Sequence, residues 1–285
     1  MTAHQCAKKA RDTESMMSTA TVASETDKML ARREGSVGYV IFNNPERRNA
    51  VSLDMWAAAT RILEDFAQDD AVRVVVVTGA GGKAFISGAD ISRFGAERSS
   101  EEAIARYNTT VEKANNTFYD FPKPTIAMIR GYCIGGGVGL AVCCDLRICS
   151  DNSRFGIPAA KLGLGYGFTG IKRLSDLVGP AFAKEIFYTA RQFDAEEART
   201  MGLVNRVVPE AELEDYVRDY AATIGANAPL TVDAVKYIVG QVVKDESQRD
   251  LARAAEMVKK CFRSKDYVEG RTAFMEKRKP VFNGK

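Results

Sequence analysis

Histidine is nearly missing from this 285-residue chain, where His4 is the only one. Its scarcity excludes Ser-His-Asp and Cys-His nucleophilic machinery and argues against a histidine-ligated metal. Acid–base work, where there is any, falls to carboxylates, tyrosine, lysine, thiol or water. Long apolar runs are missing too, so no segment reads as a membrane span. The first 33 residues lack the apolar stretch of a secretory signal, and Asp12, Glu14, Glu25 and Asp27 argue against a transit peptide. Excess charge of one sign is small. The net value is +3, with Lys and Arg scattered among Asp and Glu apart from Lys277–Arg278–Lys279, which makes no case for a nucleic-acid partner. None of the six cysteines has the C-x-x-C spacing of a zinc or redox site. Buried free thiols in a reducing cytoplasm account for them.

What is present is a globular composition, 46% apolar and 27% charged. A chain of this length can bury a large core in one domain with a helical appendage, or in two small domains. Residues 1–33 are polar and Ser/Thr-rich and read as a disordered tail. Val37–Asn43 reads as a strand ending at Asn44-Pro45. Ser52 is a candidate N-cap for a helix to about Asp70, with Leu53, Trp56, Ala57, Ile62, Leu63 and Phe66 on one face. Arg73–Thr78 has the continuous β-branched pattern of a strand buried on both faces. A helix over 101–120, a strand over Thr125–Arg130, a glycine turn and a helix to Cys144 follow, then short strands at Leu146–Ser150 and Arg154–Gly156. Beyond Gly170 the pattern is helical, with Asp194 ahead of Ala195-Glu196-Glu197 as a helix start. The expected division is a tail over 1–33, a β/α core over 34–208 and a helical region over 209–285.

Three motifs compete for the chemistry. Gly79-Ala-Gly81-Gly82-Lys-Ala84 fits G-x-G-x-x-A after a strand, the dinucleotide fingerprint, and Gly165-Tyr-Gly167-Phe-Thr-Gly170 fits G-x-G-x-x-G. Context weakens both, because Phe85-Ile-Ser-Gly88 interrupts any helix after Gly79 and no β-branched strand precedes Gly165. The third is Gly135-Gly136-Gly137, set between a β-like run and an apolar run. Glycine there leaves bare N–H groups at a helix start, able to meet a negatively charged oxygen; a tight packed turn is the plain alternative. Gly88-Ala89-Asp90 places a second such small-residue bend after a strand. Two N–H donors meeting one oxygen form an oxyanion hole, worth about 3 kcal/mol per donor in some enzymes. A thioester carbonyl becoming an enolate suits it.

These pieces, in this order, resemble the crotonase (enoyl-CoA hydratase/isomerase) superfamily across residues 37–284. The match is carried by Asn44-Pro45 to Asn49-Ala50, Ala84-Phe-Ile-Ser-Gly-Ala-Asp-Ile91, Gly131-Tyr-Cys-Ile-Gly-Gly-Gly, Cys144-Asp145, Phe155-Gly-Ile-Pro158, Ala198 to Val204 and Glu269 to Pro280. The resemblance implies an α/β fold, a spiral of ββα units with a helical C-terminal trimerisation region, and an acyl-CoA ligand. It implies that the N–H groups of Ala89 and Gly136 hold the thioester oxygen, among substrate-binding residues Ala84, Gly88, Asp90, Ile91, Tyr132 and Gly135. Arg47 and Arg48 match a region that meets the CoA nucleotide, and Phe274 and Lys277 match positions that reach CoA from the last helix. No separate cofactor is implied, since coenzyme A enters as part of the substrate. Self-association as a trimer or hexamer in the cytoplasm is expected, without membrane or nucleic-acid partners.

The departure from the family pattern matters as much. Where its hydratases carry two glutamates this chain has Gly139 and Ala159, and the aspartate position of its isomerases and dehalogenases falls on Gly167. Tyr166, beside that last position, is the candidate proton-handling group. Lys161, Asp90 and Asp145 are weaker candidates, and Cys133 and Cys143 read as core thiols. Three readings stand: an acyl-CoA-processing enzyme of the hydratase/isomerase type, a non-catalytic acyl-CoA-binding homologue, and an NAD(P)-dependent oxidoreductase.

Overall fold

A computed structural model of the protein describes residues 20–22, 26–93, 95 and 99–285. Strands β1 (Ala20–Val22), β2 (Met29–Glu34) and β3 (Val37–Phe42) pair antiparallel in sequence order. Thus residues 29–33, which the sequence reading places in the tail, belong to a sheet. Met29 and Ala31 are buried and alternate with exposed Leu30 and Arg32, a period-2 pattern too short to stand out beside the polar stretch ahead of it. Residues 20–22 of the expected tail form β1, while 1–19 and 23–25, His4 included, lie outside the described residues.

Helix α1 (Leu53–Gln68) has Ser52 at its N-cap position, though the Ser52 side chain makes no capping bond, and buries Met55, Trp56, Ile62, Leu63 and Phe66, while Leu53 and Ala57 are only half-buried. Three strand–strand–helix units follow. The first is β4 (Val74–Gly79), β5 (Ala84–Ile86) and α2 (Glu101–Tyr119); the second is β6 (Thr125–Ile129), β7 (Tyr132–Ile134) and α3 (Gly136–Ala141). The third is β8 (Leu146–Ser150), β9 (Arg154–Gly156) and α4 (Ala159–Leu162). In each unit the first strand joins a seven-stranded sheet and the second a four-stranded one. The chain then runs through α5 (Phe168–Thr189), β10 (Phe193–Asp194), α6 (Ala195–Thr200) and β11 (Arg206–Val208). Asp194 caps α6 through a reciprocal capping box with Glu197.

The dinucleotide reading fails here. Gly79 leads through a turn at Gly81 and Gly82 into β5, a strand, where a phosphate-binding helix would have to start. β5 and β7 are only three residues long and escape a periodicity argument. The glycine helix is also shorter than expected, ending at Ala141 rather than Cys144.

The expected break near Pro209 does not separate two cores. Helix α7 (Leu213–Ala226) lays Leu213, Val217 and Ala221 on the face of the large sheet formed by Val37, Tyr39, Val74, Val76, Ile126 and Ile148. Beyond it α8 (Pro229–Val242), α9 (Leu251–Arg263) and α10 (Lys265–Glu276) are amphipathic helices that leave Val235, Val239, Val242, Phe262, Phe274 and Met275 exposed.

Candidate active site

Two bends meet where α1 starts and β5 and β7 end. Val51, just ahead of α1, forms an isolated parallel bridge with Ala89. Val51 N–H donates to Gly88 O at 2.9 Å, and Val51 O accepts from Asp90 N–H at 3.0 Å. With its two neighbours supplying both bonds, Ala89 turns its own N–H away from Val51. The second bend, Ile134–Gly136, packs on Gly88. A Cβ built on Gly88 would meet Ile134 O at 3.5 Å, and one built on Gly135 would lie 3.9 Å from Gly88 Cα. Gly135 holds φ +55° and ψ −112°, which glycine tolerates, while its N–H donates to Gly156 O at 2.8 Å. Gly136 opens α3, so its N–H has no acceptor within the helix. Gly137 fixes the spacing, because a Cβ there would strike Ile86 O at 2.4 Å.

Tyr166 reaches the same place. A Cβ on Gly135 would lie 3.9 Å from its hydroxyl, and its half-buried ring stands edge-on to Phe187 with centroids 5.1 Å apart. Around Gly139 a Cβ would meet no atom within 4 Å, and the same holds at Gly167; Ala159 is buried at the start of α4. The positions that carry carboxylates in the hydratase pattern are therefore small residues, two of them facing open space.

The Asn44–Ala50 loop is stapled to the Ala89 bend. Arg47 Nη1 lies 3.2 Å from Asp90 Oδ1, and Ser87 N–H donates to Arg48 O at 3.1 Å. Asp90 Oδ1 also accepts from Ser92 N–H at 3.1 Å and Ser92 Oγ at 2.6 Å. Burial acts to raise the Asp90 pKa, but the Ser92 hydrogen bonds and the Arg47 charge outweigh it and hold the carboxyl below its ordinary value. Asp90 thus serves as an ionised anchor for a turn. Ile91 opens the short 3-10 turn Ile91–Arg93 that follows it. The Arg48 guanidinium sits 5.0 Å above the centroid of Tyr132, whose ring is half-buried. Ala84 is buried within β5 and its carbonyl accepts from Asn49 Nδ2 at 2.8 Å, so it supports the bend from behind. Phe274 and Lys277 belong to the C-terminal helices: Phe274 is 82% exposed, and Lys277 ends α10 in a left-handed conformation.

The other candidates are framework. Asp145 Oδ2 accepts from Thr125 N–H and Lys236 Nζ, each at 2.7 Å. Lys161 is exposed on α4. Burial pushes the Cys143 thiol up to about 11 and that of Cys149 to about 12, and raises Cys133 well above its usual value, so these sulfurs are protonated core atoms at neutral pH.

Sequence reasoning missed three contributors. Asn49 is fully buried at φ +56°, donating to Ala80 O and Ala84 O; asparagine tolerates that conformation, so a signal existed within the loop motif. Arg173 donates to Asn116 Oδ1 at 2.7 Å and lies 3.5 Å from Cys143 Sγ, in the turn just beyond α3 and four residues past Gly139, a tertiary contact with no local trace. Trp56 reads as one more apolar residue of α1, yet its Cζ2 lies 3.7 Å from a Cβ built on Gly136.

Comparison with known proteins agrees with this architecture. The Enoyl-CoA hydratase/isomerase family model matches residues 32–285. The chain belongs to that family. It is 36% identical over 255 residues to the short-chain-enoyl-CoA hydratase of Clostridium acetobutylicum, covering 90% of this chain and 97% of that one. It is 35% identical to the crotonyl-CoA hydratase of Syntrophomonas wolfei, covering 91% and 99%. Among solved structures, an enoyl-CoA hydratase/carnithine racemase from Magnetospirillum magneticum superposes with a TM-score of 0.84 at 35% identity, covering 96% of this chain and all of that one.

Proposed function

We propose that this protein processes an acyl-CoA thioester by holding the thioester oxygen between the N–H groups of Ala89 and Gly136. The carrying observation is the apposition of the two bends, Gly88 against Gly135, with the Tyr166 hydroxyl at their junction. Charge that develops on the carbonyl oxygen as the thioester passes to an enolate is met by fixed amide dipoles, which need no reorganisation during the reaction. Nucleophilic addition at C3 or proton movement at C2 then requires one group to carry a proton. Tyr166 is the side chain placed to do so, since the glutamate positions hold Gly139 and Ala159. Arg47, Arg48 and Tyr132 present charge and an aromatic face beside the Ala89 bend for the nucleotide end of CoA. Phe274 and Lys277 reach the ligand from the last helix of a neighbouring subunit.

The test uses crotonyl-CoA, followed by loss of the conjugated thioester absorbance, with titration calorimetry on the same protein. Tyr166→Phe should lower kcat about 100-fold, within the usual range for a general acid or base, with the Kd for crotonyl-CoA unchanged. An unchanged kcat removes Tyr166 from the chemistry. Tight thioester binding without any turnover in the wild type favours the second reading, a non-catalytic acyl-CoA-binding homologue, which the missing glutamates keep open. Failure of any CoA thioester to bind overturns the site itself.

We further infer a homotrimer built on the C-terminal helices, in a reducing cytoplasm. The exposed Val235, Val239, Val242, Phe262 and Phe274 support the first inference, and free Cys133, Cys143, Cys144, Cys149 and Cys261 the second. Light scattering should give about three times the 31.2 kDa chain mass, and a monomer would remove the neighbouring-subunit role of Phe274 and Lys277.

A further inference from the structure

The junction of the two bends holds little charge. Among the described residues, the Tyr166 hydroxyl is the one polar side-chain atom within 4 Å of a Cβ built on Gly88, Gly135, Gly136 or Gly139. It stands 3.9 Å from the Gly135 position, where the other two contacts are Gly88 Cα and Pro158 Cδ. Asp90, the carboxylate beside the Ala89 bend, is tied to Arg47 and Ser92. Ala159, next after Pro158, is buried and apolar. Room is ample, since a Cβ built on Gly139 or Gly167 meets no atom within 4 Å.

An enolate held by the Ala89 and Gly136 amides can arise in two ways. Pulling a proton from C2 of the acyl group requires a positioned base. Expelling carbon dioxide from a carboxylate on C2 requires none. The bond from C2 to the carboxylate carbon breaks, its electron pair becomes the C1–C2 double bond, and the negative charge arrives on the thioester oxygen. A protein carboxylate at the junction would repel such a substrate, because juxtaposed like charges are unfavourable. Here the surroundings are glycine, alanine, proline and a phenol. The charge thus leaves a place where little compensates it and reaches two amide N–H groups. Stabilisation that grows as the bond breaks is what accelerates a reaction.

We propose that this protein decarboxylates acyl-CoA thioesters that carry a carboxylate on C2, the malonyl type, with Tyr166 giving C2 the proton that replaces the carboxylate. The inference rests on the acyl-CoA reading above. Tyr166 is half-buried, so its phenol regains the proton from solvent. One thioester and one proton give one carbon dioxide and one acyl-CoA shorter by that carbon. No electron donor or acceptor enters.

The measurement uses malonyl-CoA carrying carbon-13 in its free carboxylate, with succinyl-CoA as the control. In succinyl-CoA the carboxylate sits on C3, and its loss would not produce an enolate. Labelled carbon dioxide and acetyl-CoA should appear in equal amounts by mass spectrometry, while succinyl-CoA stays intact. The kcat/KM should exceed that for crotonyl-CoA hydration about tenfold or more, and Tyr166→Phe should lower kcat about 100-fold. Gly139→Glu should weaken malonyl-CoA relative to butyryl-CoA about tenfold in calorimetry, whereas Gly139→Gln, equal in size and uncharged, should keep the ratio. If malonyl-CoA binds and releases no carbon dioxide above the rate without protein, decarboxylation is overturned and the oxyanion reading stands. Release that Tyr166→Phe leaves unchanged overturns the role given to the phenol. Should neither malonyl-CoA nor butyryl-CoA bind, the acyl-CoA reading falls along with the proposal. A variant that fails to fold leaves the wild-type release to decide.

Discussion

At the scale of single residues, the decisive feature is the pairing of two small-residue bends with a nearby position that bears no side chain. The two bends that present Ala89 and Gly136 are held by glycine geometry and by the Val51 bridge, while position 139 carries no side chain at all. Room is the limiting quantity there, and it is plentiful. Gly139→Glu should therefore be accommodated and, as a positioned acid–base group, should raise crotonyl-CoA hydration by at least tenfold, measured by the same absorbance assay. A folded Gly139→Glu with no gain, alone or combined with Ala159→Glu, would mean that the active-site geometry differs from the hydratase pattern in more than two side chains. The two small-residue bends were legible in the sequence, because glycine runs are visible as letters. What stayed hidden was any role set by neighbours distant in the chain. Trp56 reads as one apolar residue in a periodic face, and nothing local shows that its ring edge ends against residue 136. Arg173 and Asn116 are 57 positions apart and meet only in the folded molecule.

At the scale of elements, the sequence spoke clearly where a pattern was long. Strands β3, β4, β6 and β8 and helices α1 and α2 lie within a residue or two of their sequence-derived bounds, and α6 starts after Asp194 as expected, since continuous β-branched runs, amphipathic spacing and the Asp194 cap are strong local signals. The three-residue strands β5, β7 and β9 form the second sheet together with β10; the sequence pattern indicates only β9 of the three, because three residues cannot display a period. Those short strands nevertheless set the active-site spacing. β5 pairs parallel with β7, and α3 follows directly on the Gly135 bend, its Gly137 seated on the Ile86 carbonyl. Gly137→Ala places a methyl 2.4 Å from that oxygen, so the strand and helix must part. A loss of about 3 kcal/mol in unfolding free energy is expected by urea denaturation, at the upper end of ordinary overpacking. Thioester affinity should fall as well, because the bends separate. A loss under 1 kcal/mol would show that the junction yields more readily than its contacts indicate.

For the whole molecule, the C-terminal segment is clasped by carboxylates of α10. Glu269 takes the Arg278 guanidinium and accepts from Val281 N–H at 2.9 Å, and Asp266 accepts from Asn283 and Gly284 N–H at 2.9 and 2.8 Å. Arg73, at the foot of β4, donates to Phe282 O at 2.8 Å and so carries the clasp back to the large sheet. The Arg278 hydrogen bonds lower the Glu269 pKa from 4.5 to about 2. Its contribution is therefore complete above pH 4.5 and is lost as pH falls through about 2. The protection factor of the Val281 amide should fall over that acid range, and Glu269→Gln should show the lower protection already at pH 7. Protection that is indifferent to both would place the hold on this segment elsewhere. The sheets themselves have a further consequence. Each of the three repeating units sends one strand into each sheet. Peeling any one unit away would strip a member from both layers at once, so neither can melt first, and heat should carry the described core from native to unfolded without a half-dismantled state in between.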